Sequence, residues 1–527
     1  MNAQKVLING AWVESQGRET FQAVNPQTGQ PLAPAYPVSP WSEVDRAVQA
    51  ASSAAWRVRG WPGERFAAFL NAFAGRLEQR AEELIATAQA ETALAVEPRL
   101  KSVELPRTVN QLRQAAAAAR DGSWVQATID SKANIRSMFA PIGPVVVFGP
   151  NNFPFAFNGA AGGDFAAAVA AGNPVIAKGH TSHPGTSRLL AEEAHQAALT
   201  TDMPAGFVQL IYRTSHTDGE RLVVHPLIGA TGYTGSRQGG LRLKEAADRA
   251  GKAIYLELSS VNPVFVLPGA LNERLDDVAQ EFATSCLMGT GQFCTNPGLV
   301  ALVGGESAEK FIAAVAQRFT QAPTGTLLGE GVRRNFVESV GALTAAGAKV
   351  VTGGGSPGGP AIRCENTLLR VDGDTFLAHA ETLQTEAFGN ESLFVVAKDA
   401  EQLLQIAGKL EGNLTGCVYS DRGGLDDPLY DRLSLVLRER VGRLLNDKMP
   451  TGVAVSPAMN HGGPFPATGH RGFTAVGIPA ALHRFAALEC YDNVRPHRLP
   501  PALRDANPTG RMWRFVDGTW TQACPRD

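Results

Sequence analysis

The chain has 527 residues, 44% of them hydrophobic and 19% charged, with 48 Lys and Arg against 50 Asp and Glu. That length predicts three or four structural units with ample material for buried cores, which excludes a disordered chain or a coiled-coil rod. A net charge of −2 without a basic run gives no electrostatic footprint of nucleic acid or an anionic membrane. The six cysteines, at 286, 294, 364, 417, 490 and 524, show no CxxC or Cys/His spacing, so neither a disulfide framework nor a metal site is expected. The N-terminus lacks a basic-then-apolar leader pattern. The longest apolar candidate, Phe165 to Ala177, is short and ends in Asn-Pro. A cytoplasmic setting is expected.

In chain order, residues 5 to 37 read as short strands, with turns at Ile8-Asn9-Gly10 and Asn25-Pro26-Gln27-Thr28-Gly29. From Ser42 to Ala119 the pattern is helical. Phe66, Phe69, Leu70, Phe73 and Leu77 mark one buried face. Val125 to Phe139 reads as an extended β-ribbon. Strands then alternate with helices: 144–148, 175–177, 208–212, 228–233 and 253–258 against 165–171, 187–198, 219–224 and 239–250. Such alternation implies a parallel sheet with right-handed crossovers and ligands at the carboxyl ends of its strands. A second α/β block runs from Asn262 to about Gly452. Its helices fall near 276–287 and 308–321, and its strands near 299–303 and 393–396. No internal repeat or long linker is visible.

Seven motifs carry chemistry. Gly289-Thr-Gly-Gln-Phe-Cys294-Thr-Asn-Pro-Gly298 puts a cysteine on bent, accessible backbone, where a thiolate nucleophile can work. Glu257 closes a buried apolar strand, where desolvation is expected to raise its pKa toward that of a general base. Asn152 follows a strand and can donate to a developing oxyanion. Lys178, at a strand end, can reach ribose hydroxyls or phosphate. Gly235-Ser236 opens a helix, where a pyrophosphate can sit. Glu386-Ala-Phe388-Gly389 can hold a ribose and cover a ring. His461, beside two glycines, can carry a proton. Each also has a plain structural reading: a core cysteine, a satisfied buried Glu, a turn Asn, a solvated Lys, a short Gly turn, an ordinary loop, a surface His.

Taken in order, these motifs resemble the aldehyde dehydrogenase superfamily, from Ile8-Asn9-Gly10 through Asn152-Phe153-Pro154, Lys178, Thr234-Gly235-Ser236, Leu256-Glu257-Leu258, Gly291-Gln292-Phe293-Cys294 and Glu386-Ala387-Phe388-Gly389. Lys178-Gly-His180-Thr181-Ser-His183-Pro-Gly and His461-Gly-Gly-Pro464 are similar to one subgroup. It contains bacterial 2-oxoglutarate semialdehyde (2,5-dioxovalerate) dehydrogenases and a fatty aldehyde dehydrogenase. The resemblance implies a Rossmann-type parallel-sheet cofactor domain, an α/β catalytic domain and an oligomerisation ribbon. It assigns residues 1–122 and 141–258 to the first, 259–452 to the second, and 123–140 with 453–527 to the third. It implies a homodimer, and NAD(P)-dependent oxidation of an aldehyde through a Cys294 thiohemiacetal and thioester. Asn152 and the Cys294 N–H would hold the oxyanion, and Glu257, with His461, would activate water. Lys178 and Glu386 would hold riboses, Ser236 beside Gly235 the pyrophosphate, and Phe388 would lie on the nicotinamide ribose.

Three departures bear on function. NAD-preferring relatives carry a Glu where this chain has Thr181. Its loss, with His180, His183 and Arg213 as phosphate partners, favours NADP, with NAD use also allowed. Ser259-Ser260 replaces two glycines, and Asn390 replaces a proline. A dioxovalerate-type substrate needs a cation for its distal carboxylate, for which Arg471 and Arg136 are the candidates by charge. The aromatic set Phe153, Phe157, Phe293 and Phe465 suits a longer apolar or aromatic aldehyde instead. Coenzyme A as acyl acceptor is disfavoured by Glu257. A non-catalytic protein of this fold is disfavoured by the retention of Cys294, Glu257 and Asn152 together.

Overall fold

Short apolar strands alternating with amphipathic helices build two seven-stranded sheets, and the remaining extended segments build a five-stranded one. In the computed structural model, which describes residues 3–524, the first sheet runs Ala253–Glu257, Ala230–Thr234, Val145–Phe148, Val175–Lys178, Val208–Ile211, Val6–Ile8, Ala11–Val13. Its first five strands are parallel. The N-terminal hairpin adds on antiparallel, with Asn9 and Gly10 both at positive φ as a tight two-residue hairpin turn requires. The helical stripe falls where expected. Phe66, Phe69, Leu70, Phe73 and Leu77 are all buried on helix Gly63–Gln79. Phe73 packs edge-on against Phe165 and Phe69 against Phe207, tying that helix to the sheet.

The second sheet runs Lys349–Thr352, Thr367–Asp372, Glu391–Ala397, Leu299–Val303, Val264–Val266, Asn413–Tyr419, Val441–Asn446. All pairs are parallel except the first. Strand Leu299–Val303 matches the sequence expectation. Strands Val264–Val266, Thr367–Asp372, Asn413–Tyr419 and Val441–Asn446 have no counterpart in it.

The ribbon is shorter at its start than the sequence reading, because Ser123–Val125 is a 3-10 turn. Strands Thr128–Asp130 and Ile135–Pro141 then pair, and Ala486–Asp492 adds antiparallel to the second. The tail past Pro508, which matched no pattern in the sequence, forms the strand pair Arg514–Val516 and Thr519–Thr521. It docks parallel to Thr128–Asp130. No helix among the described residues is long and apolar enough to cross a membrane.

Candidate active site

The carboxyl ends of the first sheet's strands converge on one rim. Asn152 follows Val145–Phe148, Lys178 ends its own strand, Ser236 follows Ala230–Thr234, and Glu257 ends Ala253–Glu257. The loop from His461 to Gly469 folds onto the last of these. Leu258 donates to Ala467 O and Thr468 bridges Glu257, while the His461 N–H donates to Thr474 Oγ1. This pairing presses His461 into the site. Its Nε2 lies 2.7 Å from Glu257 Oε1 and 3.5 Å from Cys294 Sγ. The donor atoms of the three residues all fall within 4.8 Å of one another.

Cys294 sits on a loop that begins with three successive left-handed residues, Gly289, Thr290 and Gly291. Asn262, itself left-handed, donates through Nδ2 to Cys294 O and Asn296 O and fixes the loop from below. Asn413 Oδ1 in turn accepts from the N–H groups of Val261 and Asn262. Neither Asn was singled out by the sequence reading. A side-chain clamp between distant loops has no local pattern. Asn152 is buried and donates through Nδ2 to Gln292 O at 3.0 Å, which ties its amide to the Cys294 loop. The Cys294 N–H makes no hydrogen bond to any described residue.

Electrostatics differ from the expectation at Glu257. Burial does raise its pKa, and is the largest single influence. The charge and hydrogen bond of His461, the Cys294 thiol and Arg484 together outweigh it, and the net shift is downward. Cys294 moves the other way. Burial first, then the Glu257 charge, pushes the thiol well above its ordinary range, with Arg107 pulling back. The resting pair is a carboxylate facing a thiol.

The cofactor face fits a dinucleotide. Burial, helped by the Arg213 charge, pushes the Lys178 ammonium down to about 8. Ser236 caps helix Arg237–Arg249, its Oγ accepting from the Gly239 N–H and leaving the first-turn amides directed outward. Burial raises Glu386 to about 7, partly offset by the Ser259 hydroxyl and the Ser260 N–H. A half-buried acid without a cation of its own suits ribose hydroxyls. Glu386 and Phe388 line a small cleft with Ser260 and Gly291. The phosphate partners proposed around Thr181 are unequal. His180 and His183 stack at 5.2 Å, and burial holds both imidazoles low, His183 at about 4. Neither brings a positive charge. Arg213 is exposed at the end of strand Val208–Ile211, close enough to Lys178 to depress it.

The other face of Cys294 is aromatic. Phe153, Phe157 and Phe293 form one buried cluster with Ala156, Val453 and Val476 around Cys294. Phe153 meets Phe157 at 5.2 Å and Phe293 at 5.5 Å, both edge-on. Phe465, expected among them, is outside: it is 60% exposed and its carbonyl accepts from Gly412. The two arginines chosen by charge are elsewhere. Arg471 lies on the surface against Glu439 and Arg438 O. Arg136 is buried in the ribbon sheet, bound to Leu503 O and Asp505. Arg99, Arg107 and Arg443, which the sequence reading passed over, lie by the pocket instead.

With this geometry in hand, comparison defines the class. The profile described as the aldehyde dehydrogenase family matches residues 12–425, and the chain belongs to that family. It is an oxidoreductase that acts on aldehydes with a nicotinamide cofactor. The chain is 38% identical to alpha-ketoglutaric semialdehyde dehydrogenase 2 of Azospirillum brasilense, covering 97% of this chain and 98% of that one. It is 36% identical to alpha-ketoglutaric semialdehyde dehydrogenase of Acinetobacter baylyi, covering 99% of each. Among solved structures, PnpE in complex with nicotinamide adenine dinucleotide superposes with a TM-score of 0.80 at 21% identity, covering 94% of this chain and 100% of that one. That likeness bears on the fold, and the α/β architecture expected from the sequence is borne out.

Proposed function

We propose that the chain oxidises 2-oxoglutarate semialdehyde to 2-oxoglutarate, with water as the acyl acceptor and NADP as the preferred cofactor. The observation that carries this reading is the contact of Cys294, His461 and Glu257. That proximity supports a nucleophile and a hydrolytic base acting on one carbon. The activity named for the Azospirillum and Acinetobacter relatives supports the substrate.

In the first step the Cys294 proton passes to Glu257, and Sγ bonds the aldehyde carbon. The aldehyde oxygen becomes an oxyanion, held by Asn152 Nδ2 and the Cys294 N–H. A nicotinamide held by the residues below would supply the acceptor for the hydride that leaves that carbon. Cys294 then carries a thioester. Glu257 first gives up the thiol proton to solvent; its Oε2, which makes no hydrogen bond to any described residue, is then free to take a proton from water. Hydroxide adds to the thioester carbon, the C–S bond breaks, and the acid leaves. His461 orients Glu257 and passes protons between it and Sγ.

Lys178 and Glu386 hold riboses, Ser236 and Gly235 the pyrophosphate, and Phe388 the nicotinamide ribose. Thr181 leaves room for a 2′-phosphate, with Arg213 as its cation and His180 as a neutral donor. The three parts, 1–122 with 141–258, 259–452, and 123–140 with 453–527, act as cofactor unit, catalytic unit and oligomerisation segment. The exposed Leu488 on strand Ala486–Asp492 supports a homodimer built through the ribbon. The Phe153–Phe157–Phe293 cluster favours a second reading, oxidation of medium-chain or aromatic aldehydes by the same steps.

Incubation with 2-oxoglutarate semialdehyde and NADP, without coenzyme A, should yield one 2-oxoglutarate per NADPH. Cys294→Ala should abolish both products. Turnover that requires coenzyme A, or that survives in Cys294→Ala, contradicts the proposal.

A further inference from the structure

Three arginines surround the aldehyde pocket, and they differ in what already satisfies them. Arg99 is neutralised by the buried Glu104 and donates to Asn152 O. Arg443 is occupied by backbone, donating to Pro450 O and Gly452 O. Arg107 has neither. Its one side-chain hydrogen bond runs from Nε to the neutral Gln111, one turn along helix Leu105–Asp121. Its Nη2 is shut off from solvent without a hydrogen-bond partner among the described residues.

The position of that free edge is informative. The Arg107 guanidinium lies over Phe157 at 5.2 Å and Phe153 at 5.7 Å. Phe153 packs on Phe293, the neighbour of Cys294, and Phe157 packs on His461. The cation therefore stands one layer of side chains from the nucleophile, among rings that exclude water. Arg107 is half-buried, but an Nη2 shut off from solvent with no partner is costly, and the cost is removed by an anion that reaches it from the pocket. The planar fork of Arg matches a carboxylate in two parallel hydrogen bonds. Burial already depresses its pKa, the Arg99 charge adds to that shift, and Glu104 and Glu257 act against it.

We propose that Arg107 is the specificity-determining residue of the pocket: it receives the distal carboxylate of an acid semialdehyde whose aldehyde carbon lies at Cys294. This rests on the substrate reading above and names the group that would carry it. In 2-oxoglutarate semialdehyde, four carbon–carbon bonds of about 1.5 Å each separate the two ends. The apolar rings would then hold the methylene segment, and the aromatic lining would no longer imply an apolar substrate.

The test compares wild type with Arg107→Met and Arg107→Lys in the full chain. Initial rates are measured on 2-oxoglutarate semialdehyde, on 5-oxopentanoate (the same length without the keto group) and on uncharged pentanal. The readout is the ratio of kcat/KM for acid over pentanal, which cancels any general effect on the thiol or the fold. Loss of a buried charge partner costs about 2 kcal/mol or more, so Arg107→Met should lower that ratio at least about 30-fold, mainly through KM. Arg107→Lys should recover part of it. An unchanged ratio in Arg107→Met overturns the assignment. A wild type that prefers 5-oxopentanoate to pentanal, but not 2-oxoglutarate semialdehyde, overturns the substrate reading. The role of Arg107 then stands if Met abolishes that preference. A wild type with no preference for either acid overturns both.

Discussion

The geometry at Cys294, His461 and Glu257 decides what each can do. The carboxylate is held low and the thiol high, so in the proposed mechanism the thiolate is made on demand by proton transfer. Part of the thiol's elevation comes from the Glu257 charge, and Glu257→Gln removes it. The pH midpoint for alkylation of Cys294 by iodoacetamide should therefore move down in that variant. In the same variant kcat should fall by about 10²–10⁴-fold as hydrolysis loses its base. A midpoint that stays or moves up would mean that Glu257 does not face the thiol. At this scale much was legible. A cysteine among glycines, a carboxylate closing an apolar strand and an Asn after a strand each announce themselves. Arg107 did not, because a lone arginine has no spacing signature. Charge alone pointed to Arg471 and Arg136, whose partners prove to be a surface Glu and a buried ribbon contact.

Among the elements, the nucleophile loop is the most constrained. Gly291 has φ of +68°, and a Cβ there would stand 1.9 Å from Gly389 O. The Cys294 loop thus lies directly against the turn that carries Glu386 and Phe388. Only glycine permits that approach. Gly291→Ala should separate the two, lowering kcat/KM with NADP at least about tenfold and stability by about 1–3 kcal/mol, read from denaturant melts. Wild-type rates with an unchanged melt would show that the contact is not needed. Strands of the first sheet could be read because glycine-rich turns punctuate them. Those of the second could not. Asn413–Tyr419 is buried at all seven positions, yet Asn, Thr and Gly give it the composition of a turn. Val441–Asn446 follows helix Asp427–Arg440 without a turn residue between them. Strands covered on both faces lose the alternation that marks a half-exposed strand.

Over the whole molecule, the proposed aldehyde pocket is a joint product of distant segments. Phe153 and Phe157 come from the loop after Val145–Phe148, and Phe293 from the loop before Leu299–Val303. Val453 and Val476 come from the segment past the second sheet, and Arg107 from a helix laid on the first. Arg237 and Glu411 form an ion pair between the capped helix and the second sheet's side of the cleft. No single stretch of sequence carries this pocket. That is why Phe465 could be drawn into it by proximity to His461, and why the substrate stayed open while the reaction did not. The most direct measurement is the initial rate of NADPH formation with saturating NADP on 2-oxoglutarate semialdehyde beside hexanal, decanal and benzaldehyde. A kcat/KM at least about 30-fold higher for the acid semialdehyde is the expected result, the equivalent of about 2 kcal/mol of carboxylate recognition. Equal or higher values for the apolar aldehydes would contradict the account and leave the aromatic cluster as the specificity element.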